Sequence, residues 1–253
     1  MKGFFVVIPA RYASQRLPGK PLREIAGKPM LQHVFERAME SAAARIVIAT
    51  DDQRIADSAR GFAAEVCMTS DQHTSGTERL AEVSQVLQWD SDQVVVNLQG
   101  DEPLMPAMLI NECAALLTVP GTAMATLASK ITGKDDFNDP NVVKVVTDAN
   151  DIALYFSRAA IPYSRHRDTD TLAMATALQH HGIYAYRVDT LSRLVRALPA
   201  ELEKCEQLEQ LRALSIGIEI RVGRPSVRPG PGVDTEHDLH VAEQLLTAGT
   251  GNE

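Results

Sequence analysis

The sequence predicts an α/β protein with a mostly parallel central sheet, helices on both faces of the sheet, and a smaller inserted lobe with antiparallel strands. Three observations predict this class. Short apolar runs alternate with segments of helical period in the first half of the chain, the alternation changes in the second half, and no repeat or low-complexity linker divides the 253 residues. Alternating β and α units favour parallel strands joined by right-handed crossovers. We therefore expect a single domain over 1–253, with the lobe at about 124–215.

Four apolar runs in the first half are typical of buried strands. They are FFVVI at 4–8, IVIAT at 46–50, EVCMT at 65–69 and VVVNL at 94–98. Apolar residues at helical spacing follow the first three runs, beginning near Met30, at 54–64 and around Leu80. The fourth run lacks polar alternation, which predicts a strand that is buried on both faces.

Strand-like runs in the second half are separated in places by loops alone, which predicts antiparallel pairing. The runs are MATLASKI at 124–131, VVKVVTD at 142–148 and GIYAYRV at 182–188, and EIRVG at 219–223 precedes the last predicted helix. Two helices are expected at about 189–196 and 203–214. Thr235, followed three residues later by Asp238, has the pattern of a capping box, so a last helix should begin there.

The composition is that of a soluble globular protein and argues against several classes. The chain has 25 Lys and Arg against 33 Asp and Glu, and a net charge of −8 disfavours non-specific nucleic-acid binding. Three dispersed cysteines without a CxxC pair disfavour a disulfide framework or a structural zinc site. The opening apolar run stops at Pro9 and favours a strand over a signal peptide, and no run is long enough to be a membrane helix. We expect a cytoplasmic protein without nucleic-acid or membrane partners.

A cationic loop follows the first predicted strand, at a position where ligands bind in doubly wound sheets. Arg11, Arg16 and Lys20 lie within ten residues of one another, beside Gly19. These side chains suit a polyanion, because arginine can bond two phosphate oxygens and lysine supplies a compact charge. Neither GxGxxG nor GxxxxGK[ST] is present, which disfavours dinucleotide oxidoreductases and P-loop NTPases. The alternative is a solvated loop that binds nothing.

Six segments together carry a family resemblance. They are IPARYASQRLPGKPL at 8–22, SGTERLAE at 75–82, VNLQGDEP at 96–103, YFSRAAIP at 155–162, HGIYAYR at 181–187 and PGVDTEHDL at 231–239. This combination resembles the 3-deoxy-manno-octulosonate cytidylyltransferases, the CMP-Kdo synthetases, over nearly the whole chain. The resemblance implies a Rossmann-like nucleotidyltransferase fold. It also implies an enzyme that makes CMP-Kdo and pyrophosphate from CTP and Kdo, for lipopolysaccharide biosynthesis.

The resemblance further implies a role for each matching residue. The residues expected to bind CTP are Ala10, Arg11, Arg16, Lys20, Ser75 and Arg79. The residues expected to bind the sugar are Gln99, Arg158, His180, Tyr184, Glu209 and Gln210, with Arg158 on the sugar carboxylate. Asp101 and Asp234 are expected to hold Mg²⁺, and with Arg16 and Lys20 they form the expected catalytic set. A homodimer is also implied by the resemblance.

Structural roles are the alternative for several of these residues when each is taken alone. These alternatives are a helix cap for Ser75, Thr77 or Asp234, a salt bridge for Arg79, a surface pair for His180 with His181, and a solvated helix face for Glu209 with Gln210. Two other functions stay open as well. One is a CMP-sugar synthetase for a related acid, such as 8-amino-Kdo or a nonulosonic acid, and the other is a non-catalytic nucleotide-binding regulator.

Overall fold

This computed structural model describes residues 3–13, 17–165 and 170–249. Among these residues the main sheet has nine strands, and seven of them form one continuous path of neighbours. In chain order the strands are β1 (Phe5–Ala10), β4 (Arg45–Thr50), β5 (Glu65–Met68), β6 (Val94–Asn97), β7 (Met124–Lys130), β10 (Leu178–Arg187) and β11 (Ile220–Gly223). Their spatial order is β11-β7-β10-β6-β1-β4-β5. Strand β10 runs antiparallel to its neighbours β6 and β7, whereas the other pairs in the path are parallel. The prediction of a mostly parallel sheet is therefore confirmed.

Helices cover both faces of this sheet. The α-helices of the described residues are α1 (Met30–Met39), α2 (Gln53–Gly61), α3 (Gly76–Val86), α4 (Ala107–Ala115), α5 (Lys134–Asn138), α6 (Asp170–Thr176), α7 (Val188–Arg196), α8 (Glu201–Glu206), α9 (Gln210–Ser215) and α10 (Glu236–Gly249). Apolar residues of α1, α2 and α4 form one core with the sheet, and those of α3, α7 and α9 form another. Val95 lies in one core and Val96 in the other, so β6 is buried on both faces as predicted. Within the described residues, no helix is both long and apolar enough to cross a membrane.

Smaller strands complete the fold outside that path. A hairpin of β2 (Glu24–Ile25) and β3 (Lys28–Pro29) precedes α1, while β8 (Lys144–Thr147) pairs antiparallel with both β10 and β9 (Ala153–Ser157). Antiparallel pairing in the second half is thus confirmed. The range 124–215 also contains β7 and β10 of the main path, and its definition as a lobe stays a prediction.

Three elements of the second half differ from the prediction. Strand β10 begins at Leu178 rather than 182, and its register against β7 shifts between His181 and Tyr184, which interrupts the regular alternation of side chains. The expected helix at 203–214 is two helices, because Gln207 takes a left-handed conformation with φ 53° at the end of α8. Strand β9 lies at the sheet's margin and alternates poorly, which is why its apolar residues gave no strand signal.

A buried lysine joins β8 to the loops around it. The Lys144 side chain is fully buried, and its Nζ donates to the carbonyl oxygens of Asp139 at 2.8 Å, Val142 at 2.6 Å and Arg158 at 2.7 Å. An ammonium group has three N–H donors, so all of them are used. This arrangement compensates the buried charge and holds the segment before β8 against the end of β9.

Replacing this lysine should destabilise the fold. Lys144→Met removes the buried donor from three carbonyl groups, and we expect the free energy of unfolding to fall by about 2–4 kcal/mol in urea denaturation followed by circular dichroism. The control is Lys204→Met, which breaks an exposed pair with Glu201 and should change that free energy by less than about 0.5 kcal/mol. Equal stabilities for the two variants would contradict the role of Lys144.

Candidate active site

A cleft of about 990 Å³ lies beyond the carboxyl ends of β1 and β6. The loop after β1, the loop after β6 and the N-terminus of α3 form its walls. Predicted site residues that line the cleft are Ala10, Arg11, Lys20, Ser75, Arg79, Gln99, Asp101 and Asp234. The position agrees with the rule that ligands bind at the carboxyl edge of a doubly wound sheet.

Two glycines allow the chain to fold tightly around this cleft. A Cβ atom at Gly100 would lie 2.8 Å from the carbonyl oxygen of Pro9, so only glycine lets the loop after β6 approach β1 this closely. Gly19 has φ +66° and lies against the ring of Tyr12. The guanidinium of Arg54 stacks 3.4 Å from the centroid of that ring, which fixes the cationic loop to α2.

Two carboxylates converge on the ammonium group of Lys20. Its Nζ lies 2.7 Å from Asp101 Oδ2, 2.9 Å from Asp234 Oδ1 and 2.9 Å from the carbonyl oxygen of Val233. The Val233 N–H donates to the carbonyl oxygen of Asp101 at 2.9 Å, which ties the two acidic loops together. Burial lowers the pKa of Lys20, but the charges and hydrogen bonds of Asp101 and Asp234 outweigh it, so this pKa lies above its ordinary value. Lys20 therefore remains charged and stabilises the two acids beside it.

The donor set around Lys20 fits a hard divalent cation. Two carboxylate oxygens and one carbonyl oxygen already point at one positive charge, and Mg²⁺ usually takes only one or two protein carboxylates. Among the described residues, no group of three or more His, Cys, Asp or Glu could hold a metal ion. Burial, with the charges of Asp101 and Asp234, raises the pKa of neighbouring Glu102 to about 8. Glu102 thus adds little negative charge at neutral pH.

The helix-cap alternative for Asp234 is wrong. Thr235 Oγ1 accepts the hydrogen bond from the Asp238 N–H at 3.3 Å, and Asp238 Oδ2 accepts from the Thr235 N–H at 2.9 Å. The predicted capping box of α10 is thus confirmed. Because Thr235 performs the capping, the side chain of Asp234 can face Lys20.

The predicted base-binding residues also have structural roles. Ser75 caps α3 in a capping box with Glu78. Arg79, with a side chain only 4% exposed, pairs with Asp51 Oδ2 at 3.0 Å and donates to Thr69 Oγ1 at 2.7 Å. The alternatives of a helix cap and a salt bridge therefore hold for these two residues, and their binding of CTP stays a prediction. Asp51 was missed, although its place directly after β4 puts it at the ligand-binding edge of the sheet.

A buried polar cluster lies behind Ser75. Glu209 accepts hydrogen bonds from Ser75 Oγ and Thr77 Oγ1, both at 2.8 Å, and burial raises its pKa despite these bonds. Gln210 is also buried. A solvated helix face for Glu209 and Gln210 is therefore wrong. Sequence reasoning did not identify Thr77 as a partner of Glu209, because only the fold brings α3 next to α9.

Three buried polar atoms in this region have no hydrogen-bond partner among the described residues. They are Tyr184 Oη, Asn97 Oδ1 and Gln210 Nε2. Tyr184 and Asn97 are directly paired across β10 and β6. Buried polar atoms are normally paired, so unpaired ones indicate a polar ligand site. For Asn97 the sequence pattern predicts only a place in a buried strand.

The two histidines of β10 are not a surface pair. His180 Nε2 lies 3.1 Å from Thr126 Oγ1, and its ring packs edge-on against Phe156. His181 is buried, with Nε2 2.9 Å from Ser129 Oγ. Burial lowers the pKa of His180 to about 3 and that of His181 to about 4. The surface alternative fails because β10 begins earlier than predicted and includes both residues.

Arg158 does not line the cleft. The guanidinium of Arg158 donates to the carbonyl oxygens of Glu206 at 2.8 Å and Pro140 at 3.0 Å. Arg16 lies outside the described residues. His180 lines a second cleft of about 470 Å³ that shares Asp101 and Asp234 with the first. The roles given to Arg158, Arg16 and His180 stay predictions.

Comparison with known proteins assigns the family. A family model described as cytidylyltransferase matches residues 5–220. The chain is 50% identical over 247 residues to 3-deoxy-manno-octulosonate cytidylyltransferase 1 of Actinobacillus pleuropneumoniae serotype 5b (strain L20), covering 96% of this chain and 99% of the relative. It is 53% identical over 255 residues to the 3-deoxy-manno-octulosonate cytidylyltransferase of Marinobacter nauticus, covering 97% and 98%. The chain belongs to the 3-deoxy-manno-octulosonate cytidylyltransferase family.

Solved structures agree with membership of this cytidylyltransferase family. A CMP:2-keto-3-deoxy-manno-octonic acid synthetase complexed with CTP is similar with a TM-score of 0.89 and 40% identity, covering 98% of this chain and all of that one. A cytidylyltransferase from Leptospira borgpetersenii has a TM-score of 0.63 at 15% identity, covering 98% of this chain and 87% of that one, and shows the shared fold alone. The predicted nucleotidyltransferase fold and the family resemblance are both confirmed.

The buried histidine pair should make this family member sensitive to acid. The pKa of His181 is about 4 in the fold and about 6.5 when exposed. Between these two pH values, the histidine is protonated in the unfolded chain and neutral in the folded chain. Stability is therefore lost as pH falls below about 6.5. Between about pH 7 and pH 5 we expect wild type to lose about 2 kcal/mol more unfolding free energy than His181→Gln, measured by urea denaturation.

The control for this prediction is His240→Gln, which changes an exposed histidine and should follow wild type. Parallel pH profiles for His181→Gln and wild type would refute the expectation.

Proposed function

We propose that this chain transfers the cytidylyl group of CTP to the anomeric hydroxyl of Kdo and releases pyrophosphate, supplying lipopolysaccharide biosynthesis. The observation that carries the proposal is the convergence of Asp101 and Asp234 on Lys20, next to the cationic loop. Nucleotidyl transfer depends mainly on neutralising the triphosphate and aligning its α-phosphate with the nucleophile. A site with two acids suited to metal binding beside a cation fits that task.

Nucleotide binding is assigned to the first cleft. Arg11, Arg16 and Lys20 would neutralise the triphosphate, while Ala10, Ser75 and Arg79 would contact the base. Cytosine presents two adjacent acceptors, N3 and O2, whereas N3 of uracil is a donor, so an arginine favours cytosine. Asp51 and Thr69 hold the guanidinium of Arg79 in one orientation. This restraint supports selection of CTP.

Magnesium is assigned to Asp101 and Asp234. When bound, the ion would neutralise phosphate charge and lower the pKa of a coordinated hydroxyl. Lys20 would then present its ammonium group to the phosphates, and Arg16 would contact them as well. We assign no general base to the protein.

Acceptor binding is assigned to the polar cluster between β10, α3 and α9. Tyr184, Glu209 and Gln210 would bond sugar hydroxyls there, with Gln99 at the border of the nucleotide cleft. His180 is neutral at physiological pH, so it suits a hydroxyl rather than a carboxylate. Arg158 would bind the sugar carboxylate after releasing its backbone carbonyl partners.

Homodimerisation through the lobe and a cytoplasmic location complete the proposal. Exposed apolar side chains in this part of the chain support a subunit contact: Leu154, Tyr163, Leu198 and Leu202. The three cysteines carry free thiols, which suits a reducing compartment.

A direct assay distinguishes this proposal from its alternatives. The purified chain is incubated with CTP, Mg²⁺ and one acceptor at a time, and the product is identified by mass. Kdo should give CMP-Kdo at the highest kcat/KM, whereas preference for 8-amino-Kdo or a nonulosonic acid would reassign the substrate. Binding of CTP without turnover of any acceptor would favour the regulator.

The same assay tests the metal carboxylates. Asp101→Asn removes one charge while keeping the side-chain shape, and we expect turnover to fall at least about 10²-fold, as when a preorganised electrostatic group is lost. The exposed Asp57→Asn on α2 should retain wild-type turnover. Near-normal turnover of Asp101→Asn at saturating Mg²⁺ would refute the assignment.

A further inference from the structure

We propose that the ammonium group of Lys20 occupies the metal position until the nucleotide arrives, so that Mg²⁺ enters the site together with CTP rather than before it. The inference rests on the proposed function, because it takes Asp101 and Asp234 as the metal carboxylates. It assigns Lys20 a second role, as an internal counterion that the metal must replace.

The ammonium group of Lys20 is fully hydrogen-bonded to oxygens of the proposed metal site. Its three N–H donors are all used, by Asp101 Oδ2, Asp234 Oδ1 and the carbonyl oxygen of Val233. A metal bound to the two carboxylates through these oxygens would compete with the ammonium group for them. An ion at about 2.1 Å from the same oxygens would lie within roughly 3 Å of the ammonium, where like charges repel strongly. Lys20 and the metal therefore exclude each other at this position.

The surroundings of Lys20 explain how the exchange happens. The backbone is held by a short 3-10 helix, Lys20–Leu22, and by the buried Leu17 and Pro21. The ammonium group lies at the end of a flexible four-carbon chain. The Lys20 side chain as a whole is 14% exposed. The base of the side chain is thus fixed, and its charged end can turn into the cleft that Lys20 lines.

The charges make nucleotide and metal binding cooperative. Without a triphosphate, a metal that displaces Lys20 leaves this cation without its two anionic partners. A bound triphosphate offers new anionic partners to the ammonium and further oxygen ligands to the metal. Each ligand therefore lowers the cost of binding the other, which is positive coupling between the two sites.

The experiment measures Mn²⁺ binding without an acceptor, by electron paramagnetic resonance. In the absence of nucleotide, we expect Lys20→Met to bind Mn²⁺ at least roughly tenfold more tightly than wild type, because the competing charge has left a partly buried site. Arg11→Met is the matched control, since it removes a positive charge from the same cleft without vacating the carboxylate oxygens. It should change the dissociation constant less than about threefold. Equal affinities for Lys20→Met and wild type, or an equal gain in Arg11→Met, would overturn the exchange.

Two further measurements separate failure of this inference from failure of the proposed function. Wild type with CTP should show protein-bound Mn²⁺, and absence of that signal would overturn the metal site and the exchange together. A CTP-dependent signal in wild type without a gain in Mn²⁺ affinity in Lys20→Met would overturn the exchange alone.

If Lys20→Met does not fold, the same measurements are made on Lys20→Gln, which keeps a hydrogen-bond donor and loses the charge. The same two outcomes then apply to this variant. The melting temperature adds a readout: Lys20→Met should be stabilised by Mn²⁺ alone more than wild type, and an equal shift would count against the exchange.

Discussion

Two like charges held next to each other at the edge of a sheet are the constraint on which this site depends. Asp101 and Asp234 come from loops that are distant in sequence, and the backbone bond from Val233 to Asp101 keeps those loops adjacent. Two carboxylates at this separation repel unless a cation lies between them. Lys20 supplies it from a third loop, after β1. The fold therefore has to bring β1, β6 and the start of α10 to one point.

Helix α3, at the same edge of the sheet, contacts both predicted substrate regions. Ser75 caps this helix and at the same time donates to Glu209, which lies at the start of α9. Arg79, one turn further along α3, is fixed by Asp51 after β4. The N-terminus of a single helix thus carries contacts to both the nucleotide cleft and the buried polar cluster. A shift of α3 would disturb both regions together.

The sequence was sufficient for the first half of the fold and for the acidic and cationic loops. Parallel strands that are buried on both faces are continuous apolar runs, so β1, β4 and β6 have a strong local signal. The start of β10 and the break at Gln207 depend on a register shift and a left-handed backbone, and neither is marked by its residue types. Asp51 could have been found from its position after a parallel strand. The backbone partners of Arg158 could not, because a carbonyl oxygen carries no sequence signal.

Two kinds of buried polar group can be distinguished in this fold, and the difference separates architecture from binding. Lys144 is fully buried with every donor used, so it stabilises one arrangement of loops and has no capacity left for a ligand. Tyr184, Asn97 and Gln210 each bury a polar atom that has no hydrogen-bond partner in the described part of the chain, at a cost of about 1–3 kcal/mol per atom. Two of these atoms belong to Tyr184 and Asn97, which are paired directly across β10 and β6. A polyhydroxylated acceptor would provide a partner for each, and the fold would then recover on binding the free energy that these atoms cost it in isolation. Unpaired atoms already fixed by packing also lose little conformational freedom when the ligand binds, which favours an acceptor whose hydroxyl pattern matches theirs.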